Sequence, residues 1–343
     1  MSKLNVALLF GGKSCEHEVS LHSAKNVFDA MDKDKYAIRR IKIEKEGEWI
    51  DFDTLQVLSF NEALKDIDVA FPILHGPYGE DGSVQGLLRM AGIPFVGAGI
   101  AGSAVGMDKD IMKRLLREAG VPIGKFIVLS ATNNTNNTNN TNNTDKVSYE
   151  EALAALGSPL FVKPANMGSS VGVSKVHNKE EYAAAVALAF EFDTKIILEE
   201  FIEGREIECA VLGNDVLEVS CPGEIAATHE FYDYDAKYID ENGAKLIIPA
   251  QLAEETVQRI QELAIKTFKA LNCEGLARVD FFVRHTGEVI VNEINTLPGF
   301  TNISMYPRLM AAQGYSYSAL IDRLIELALE RSKKEAGLKV SYV

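Results

Sequence analysis

The chain has 343 residues, 47% hydrophobic and 24% charged, which is ordinary for a globular protein and enough for about two or three domains. Its 35 Lys and Arg face 49 Asp and Glu, a formal charge of −14 that disfavours nucleic acid and anionic membranes as partners. No apolar stretch reaches the ~18 residues needed to span a bilayer, and Leu4–Phe10 leads into glycines rather than a signal-peptide cleavage site, so the expectation is a soluble, cytoplasmic protein.

Leu4–Phe10 reads as a buried strand, followed by the turn Gly11-Gly12-Lys13-Ser14 and a helix to about Met31. Cys15 sits in that loop. With no CxxC spacing among Cys15, Cys209, Cys221 and Cys273, all four read as free thiols. Val69–Leu74 is another apolar run, ending in the glycine-rich loop His75–Gly82. Ile93–Val96 reads as a third strand and about Ala101–Ala119 as a helix. Strands alternating with helices predict an α/β domain with a parallel sheet over residues 1–97.

Two glycine patterns here mislead. Gly97-Ala-Gly99-Ile-Ala-Gly102 matches G-x-G-x-x-G and raises an NAD-dependent oxidoreductase as the alternative from a different class. The acidic residue expected at the end of the next strand, about 20 positions on, is Glu118, which falls inside the predicted helix. Gly12-Lys13-Ser14 looks like the end of a P-loop, but the glycine required earlier in that motif is Ala7.

Phe126–Leu129, Leu160–Lys163, Val171–Val176 and Lys195–Glu199 read as strands around a helix at Lys179–Phe190, giving a central α+β unit over residues 98–200. Between Leu129 and a helix near Tyr149–Leu156 lies Thr132–Thr144, a run of Asn-Asn-Thr triplets that reads as a polar surface loop. Lys163 closes a strand, and Gly168, Ser169 and Ser170 follow in a loop of small residues. Such a loop lets backbone N–H groups approach an anion while the lysine supplies a point charge. Ile196–Ile202 leaves the unit as an apolar strand whose backbone suits an adenine edge, with Glu206 placed for a ribose.

The third unit, residues 201–343, has strands near Glu206–Leu212 and Val216–Ser220. A polar, aromatic, glycine-flanked segment at 223–245 then suits a lid. A helix at Ala253–Leu271 precedes strands Gly275–Val283 and Glu288–Ile294, and a final helix covers about Ser318–Lys334. On the hairpin, Arg278, Asp280 and Phe282 share one face, as do Val291, Glu293 and Asn295 on the return strand. A two-residue turn at Thr286-Gly287 sets Asp280 opposite Glu293 and Arg278 opposite Asn295. Paired carboxylates repel across a ladder unless a cation compensates, and an oxygen set of this kind suits Mg²⁺ carrying phosphates. Arg278 then meets a metal-held phosphoryl group.

These residues resemble the ATP-grasp superfamily and, within it, the D-alanine–D-alanine ligases. The matching blocks are Phe10–Ser20, Leu74–Gly82, Met107–Lys109, Gly168–Gly172, Phe231–Tyr238, Arg278–Asp280 and Asn292–Gly299. The resemblance implies a three-domain architecture and a reaction in which ATP phosphorylates one D-alanine and the amine of a second displaces phosphate from the acyl phosphate. By position it implies that Glu16, with Ser169 and Tyr238, holds the first ammonium, and that His75 lies beside that substrate. Arg278 and the Gly299 N–H would stabilise the tetrahedral centre, with Ser304 and Met305 at the second substrate. Lys109, Lys163, Gly168, Ser170, Glu199, Glu200, Ile202, Glu206 and Lys237 would surround the nucleotide. Asp280, Glu293 and Asn295 would hold two Mg²⁺, or Mn²⁺ in their place. A homodimer supplying peptidoglycan precursor is also implied.

Relatives make D-alanyl-D-lactate or D-alanyl-D-serine instead. Many lactate-forming relatives lack the lid tyrosine that is Tyr238 here, and serine-forming ones carry an arginine where this chain has Met305. Both features favour D-alanine. D-serine is the alternative within the family, because Asn292–Pro307 resembles that branch.

Overall fold

The computed structural model describes residues 3–131, 147–227 and 244–339. The Asn-Asn-Thr run, Lys237 and Tyr238 lie outside the described residues.

Three sheets organise the described chain. The first contains β1 (Leu4–Gly11), β2 (Tyr36–Ile43), β3 (Trp49–Asp51), β4 (Val57–Leu58) and β5 (Val69–Ile73), in the order β4-β3-β2-β1-β5. Its centre is parallel, as the apolar runs predict: β1 pairs with β2 on one side and β5 on the other. Buried on both faces, β1 sends Val6, Leu8 and Phe10 into one core and Ala7 and Leu9 into another. The antiparallel edge of β3 and β4 is too short to leave a periodic signal in sequence. Ile93–Val96 is not a full strand. It touches β5 through one bridge at Ala70–Phe95, because Pro94 has no N–H to give and Gly97 turns away with φ of 100°.

Helix α1 (His17–Ala30) follows β1, α2 (Phe60–Ala63) precedes β5 and α3 (Ser83–Met90) follows it. The single helix expected over 101–119 is two, α4 (Ile100–Met107) and α5 (Lys109–Glu118). Asp108 breaks them: its backbone is extended, and its carboxylate accepts from the N–H groups of Asp110 and Ile111, capping α5.

The second sheet is antiparallel, β6-β9-β7-β8, made of β6 (Phe126–Ser130), β7 (Leu160–Pro164), β8 (Ser174–Val176) and β9 (Lys195–Glu200). Helices α6 (Tyr149–Leu156) and α7 (Lys179–Phe192) cover one face and share its core. The strand expected over Val171–Val176 starts only at Ser174. The preceding Ser169, Ser170 and Gly172 have φ of 51°, 60° and 69°, in the left-handed region that a strand excludes.

The third sheet runs β13-β12-β10-β14-β15, with β11 (Leu217–Val219) paired to β10 (Arg205–Gly213). Its other strands are β12 (Gly223–Ala227), β13 (Ala244–Ile247), β14 (Gly275–Val283) and β15 (Val289–Asn295). The described ends of the segment 223–245 are therefore strands of this sheet. Its apolar face buries Ile207, Cys209, Val279 and Phe281 against α8 (Glu254–Ala270) and against Met112 and Leu116 of α5. Helices α9 (Met305–Ala312) and α10 (Tyr317–Ala336) complete the described chain. They join Leu8, Phe71, Ala210, Leu276 and Phe300 in one core, which fixes the first sheet to the third. The second and third sheets, with α1 and the loops that follow β1 and β5, border one cavity.

Candidate active site

That cavity measures about 1310 Å³ and is lined from every unit of the chain. Its floor is the β14–β15 hairpin. Asp280 stands opposite Glu293 and Arg278 opposite Asn295, as the spacing predicts, but by a different route. Nearer the turn the partners are Val283–Val289 and Phe281–Val291, which leaves His285, Thr286 and Gly287 in a three-residue turn, and a bulge beside Asp280 restores the pairing. The bulge leaves Asn292 unpaired and moves Val291 to the core face with Val279 and Phe281, away from Glu293 and Asn295.

The floor is internally paired. Arg278 donates to both oxygens of Asp280 at 2.7 and 2.8 Å, and Asn295 Nδ2 donates to Asp280 Oδ2 at 2.9 Å. Burial opposes the Arg278 charge, yet Asp280 and then Glu208 hold its proton affinity well above the usual arginine value. Lys109, first residue of α5, lies 3.5 Å from Glu293 and donates to the Met167 carbonyl at 2.8 Å. It therefore ties the small-residue loop to the carboxylate hairpin. Among the described residues no group of three or more His, Cys, Asp or Glu side chains forms a metal cluster. Two carboxylates and an amide oxygen, all hard donors facing one cavity, nevertheless fit the partial protein shell that Mg²⁺ takes when phosphates and water complete it.

One wall is built around Glu16, at the start of α1. It is buried, and it accepts a hydrogen bond from the Ser169 hydroxyl, reaching across from the loop between β7 and β8. Two successive non-glycine residues in the left-handed region, Ser169 and Ser170, are costly, and a functional loop is where such strain is retained. The Glu16 carboxylate also presses on Gly76, where a Cβ would come within 2.7 Å of Oε2. Beside it His75 is buried, with Nδ1 3.0 Å from the Leu297 carbonyl and Nε2 3.1 Å from Ser23 Oγ. Since a carbonyl only accepts, Nδ1 carries the proton and Nε2 accepts from Ser23. Burial pushes the His75 pKa down, so the ring is neutral at pH 7.

The opposite wall is a buried charge ladder. Glu199, near the end of β9, lies 3.0 Å from Lys113 and pairs more tightly with Lys163. Burial works to raise the Glu199 pKa, but the two lysines outweigh it and hold the carboxyl below the usual range. Its Oε1 is the oxygen that faces the Lys113 ammonium. The carboxylate borders the slot expected to take the nucleotide. Ile202 and Glu206 line the same slot, while Glu200, also at its edge, accepts from the Lys125 N–H at 2.7 Å. The remaining wall is the loop after β15. Gly299 lies against Ser304, whose Oγ accepts from the Thr301 N–H instead of capping α9, and Met305 is buried behind it.

Every described candidate from the sequence therefore borders this cavity. Three of the other lining residues bear on the chemistry without having been singled out. Lys113 shares the buried stripe of α5 with Lys109 and Leu116, and a lysine at that helical spacing was its signal. Glu208 alternates with the core residues Ile207 and Cys209 of β10, so strand period marks it as facing the site. Glu80 accepts from the Gly76 N–H at 2.9 Å and the Leu297 N–H at 3.1 Å, joining the first and third units. Burial, and then repulsion from Glu16, push its pKa up to about 8. Nothing in sequence marked Glu80 apart from its glycine-rich loop.

The glycine decoy is resolved by packing. A Cβ on Gly102 would lie 2.6 Å from the Asn272 carbonyl, so this glycine lets α4 approach the turn before β14. None of Gly97, Gly99 and Gly102 lines the cavity, and the dinucleotide reading is set aside.

The chain matches known protein families and solved structures along almost its whole length. The D-ala D-ala ligase N-terminus family matches residues 5–62 and 51–98, and the D-ala D-ala ligase C-terminus family matches residues 115–326. D-alanine–D-alanine ligase A of Escherichia coli strain K12 is 49% identical over 99% of this chain and 100% of its own length. The D-alanine–D-alanine ligase structure from Coxiella burnetii superposes with a TM-score of 0.84 at 38% identity, covering 98% of this chain and 97% of that one. The Bacillus anthracis D-alanine–D-alanine ligase solved in complex with ATP gives a TM-score of 0.79 at 32% identity, over 97% and 99%. With both family regions matched along almost its whole length, the chain belongs to the D-alanine–D-alanine ligase family and has the ATP-grasp fold.

Proposed function

We propose that this protein is an ATP-dependent ligase joining two D-alanine molecules to D-alanyl-D-alanine, the dipeptide of peptidoglycan precursors. The observation that carries the reading is one cavity holding the Glu16–Ser169 pair, the Arg278–Asp280–Glu293–Asn295 floor and the Lys113–Glu199–Lys163 ladder.

A carboxylate oxygen of the first D-alanine attacks the γ-phosphorus of ATP, forming an acyl phosphate and releasing ADP. The amine of the second D-alanine then attacks the acyl carbon, forms the amide and expels phosphate with that same oxygen. Glu16, oriented by the Ser169 hydroxyl, holds the first ammonium. Neutral His75 fills the space beside it without adding a cation that would repel the ammonium. Tyr238 and Lys237, outside the described residues, are assigned by resemblance to the triad with Glu16 and to the nucleotide. Arg278 and the Gly299 N–H stabilise charge developing on the attacked carboxyl. Ser304, at the N-terminus of α9, meets the second carboxylate. Lys109, Lys163 and the backbone at Gly168 and Ser170 face the phosphates, and Glu199, Glu200, Ile202 and Glu206 the nucleoside. Asp280, Glu293 and Asn295 would hold Mg²⁺, two ions by resemblance, which when bound neutralises phosphate charge.

Met305, apolar and buried, supports D-alanine over D-serine as the second substrate, although an apolar pocket discriminates weakly against an added hydroxyl. The test is phosphate release from ATP and Mg²⁺ with D-alanine, D-serine and D-lactate in competition. D-alanyl-D-alanine as the dominant product supports the reading, and D-alanyl-D-serine in excess at equal concentrations overturns it. Among the described residues no helix is long and apolar enough to cross a membrane. A cytoplasmic homodimer is the assembly this reading carries, and light scattering at a monomer mass would reject the dimer.

A further inference from the structure

Glu208 has no part in the reaction as described, yet it is buried at the centre of the floor. It stands on β10 directly opposite Asp280 on β14, which in turn stands opposite Glu293 on β15. Three carboxylates therefore form a row across three neighbouring strands. Arg278, two residues along β14, reaches towards that row, its Nε 3.0 Å from Glu208 Oε2 and 2.7 Å from Asp280 Oδ1. One guanidinium is shared between two carboxylates.

Asp280 has two claims on it. Its bidentate pairing with Arg278 takes an acceptor site on each oxygen and Asn295 takes a second on Oδ2, so a divalent cation competes for what remains. A cation on Asp280 also repels the guanidinium at this range. Released with no second partner, a buried Arg278 would be left unpaired, which is strongly unfavourable. Glu208 is already in contact, 3.0 Å away, and is placed to take the charge.

We propose that Glu208 is a positioning residue that takes over Arg278 when Asp280 turns to the metal, freeing Asp280 as a ligand while keeping the guanidinium on the site face. The proposal rests on the assignment of Asp280 as a metal ligand. It differs from a simple role for Glu208 as one more negative charge attracting cations. A takeover needs Arg278, whereas general attraction does not.

The experiment measures Mn²⁺ binding to the full-length protein with ADP, by electron paramagnetic resonance, in native, Glu208→Gln, Arg278→Ala and doubly substituted forms. In the native background Glu208→Gln should weaken Mn²⁺ binding about tenfold, the middle of the range for directly coupled charged neighbours. In the Arg278→Ala background the same change should alter it less than about twofold, because Asp280 no longer has a competing partner. Equal weakening in both backgrounds, or none in the native one, overturns the proposal. Failure of the native protein with ADP to bind Mn²⁺ would instead reject the metal assignment itself. Should Glu208→Gln not fold, Glu208→Asp keeps the charge but shortens its reach, and the same loss of effect on removing Arg278 is expected.

Discussion

Glu80 is the residue whose titration has the clearest consequences. Its folded pKa of about 8 lies above the ordinary glutamate value of 4.5, so the folded state binds a proton that the unfolded chain has released across that window. Stability from this group is therefore fully present below about pH 4.5 and is lost as pH rises through about 8. Glu80→Gln should flatten the fall in urea-unfolding free energy between pH 5 and 8, and an unchanged slope would contradict the assignment. An ammonium bound at Glu16 removes the repulsion that helps keep Glu80 protonated. D-alanine binding at pH 7 should then release up to about one proton, read from calorimetry in buffers of different ionisation enthalpy. The Glu80→Gln protein should show no such buffer dependence. At the opposite wall, Lys113→Met strips one of two cations from buried Glu199. The expected cost is about 3 kcal/mol in unfolding free energy, the lower end for breaking a buried pair, since Lys163 remains. A loss below about 0.5 kcal/mol would show that Lys163 alone satisfies the carboxylate.

At the scale of elements, legibility followed how local the cause was. β1, β5, α1 and the β14–β15 hairpin announce themselves through apolar runs and alternation, which depend only on near neighbours. The Asp280–Glu293 pairing was readable for the same reason, but the bulge at Asn292 was not, because a three-residue turn and a bulge cancel beyond the bulge. The break at Asp108 was legible in principle from its capping chemistry, yet the apolar pattern runs straight through it. The left-handed Ser169 and Ser170 cannot be inferred from a sequence that strands also accept. Partners brought from other units, such as the Glu80 bridge to Leu297, have no sequence signal at all. The Asn-Asn-Thr run joins β6 to α6, and neither Ser130 nor Tyr149 lines the cavity. Replacing residues 132–144 by a short glycine-serine linker should leave kcat within about twofold, since loop length changes closure entropy only slowly. A tenfold loss in the ligation assay would mean that the run bears on the site.

For the molecule as a whole, the shared core of α1, α9 and α10 fixes the first and third sheets, while α5 carries Lys109 and Lys113 between the nucleotide wall and the carboxylate floor. The net charge of −14 disfavours polyanions over the surface at large, while Lys109, Lys113, Lys163 and Arg278 bring cations to this cavity, each beside an acidic side chain. What that cavity is held to do is activate one carboxylate as an acyl phosphate before an amine attacks it. The most direct measurement uses D-alanine labelled with ¹⁸O in both carboxylate oxygens, together with ATP and Mg²⁺, and follows the mass of the released phosphate. The account predicts one ¹⁸O atom in each phosphate, formed in step with dipeptide. Unlabelled phosphate accompanying dipeptide would contradict it.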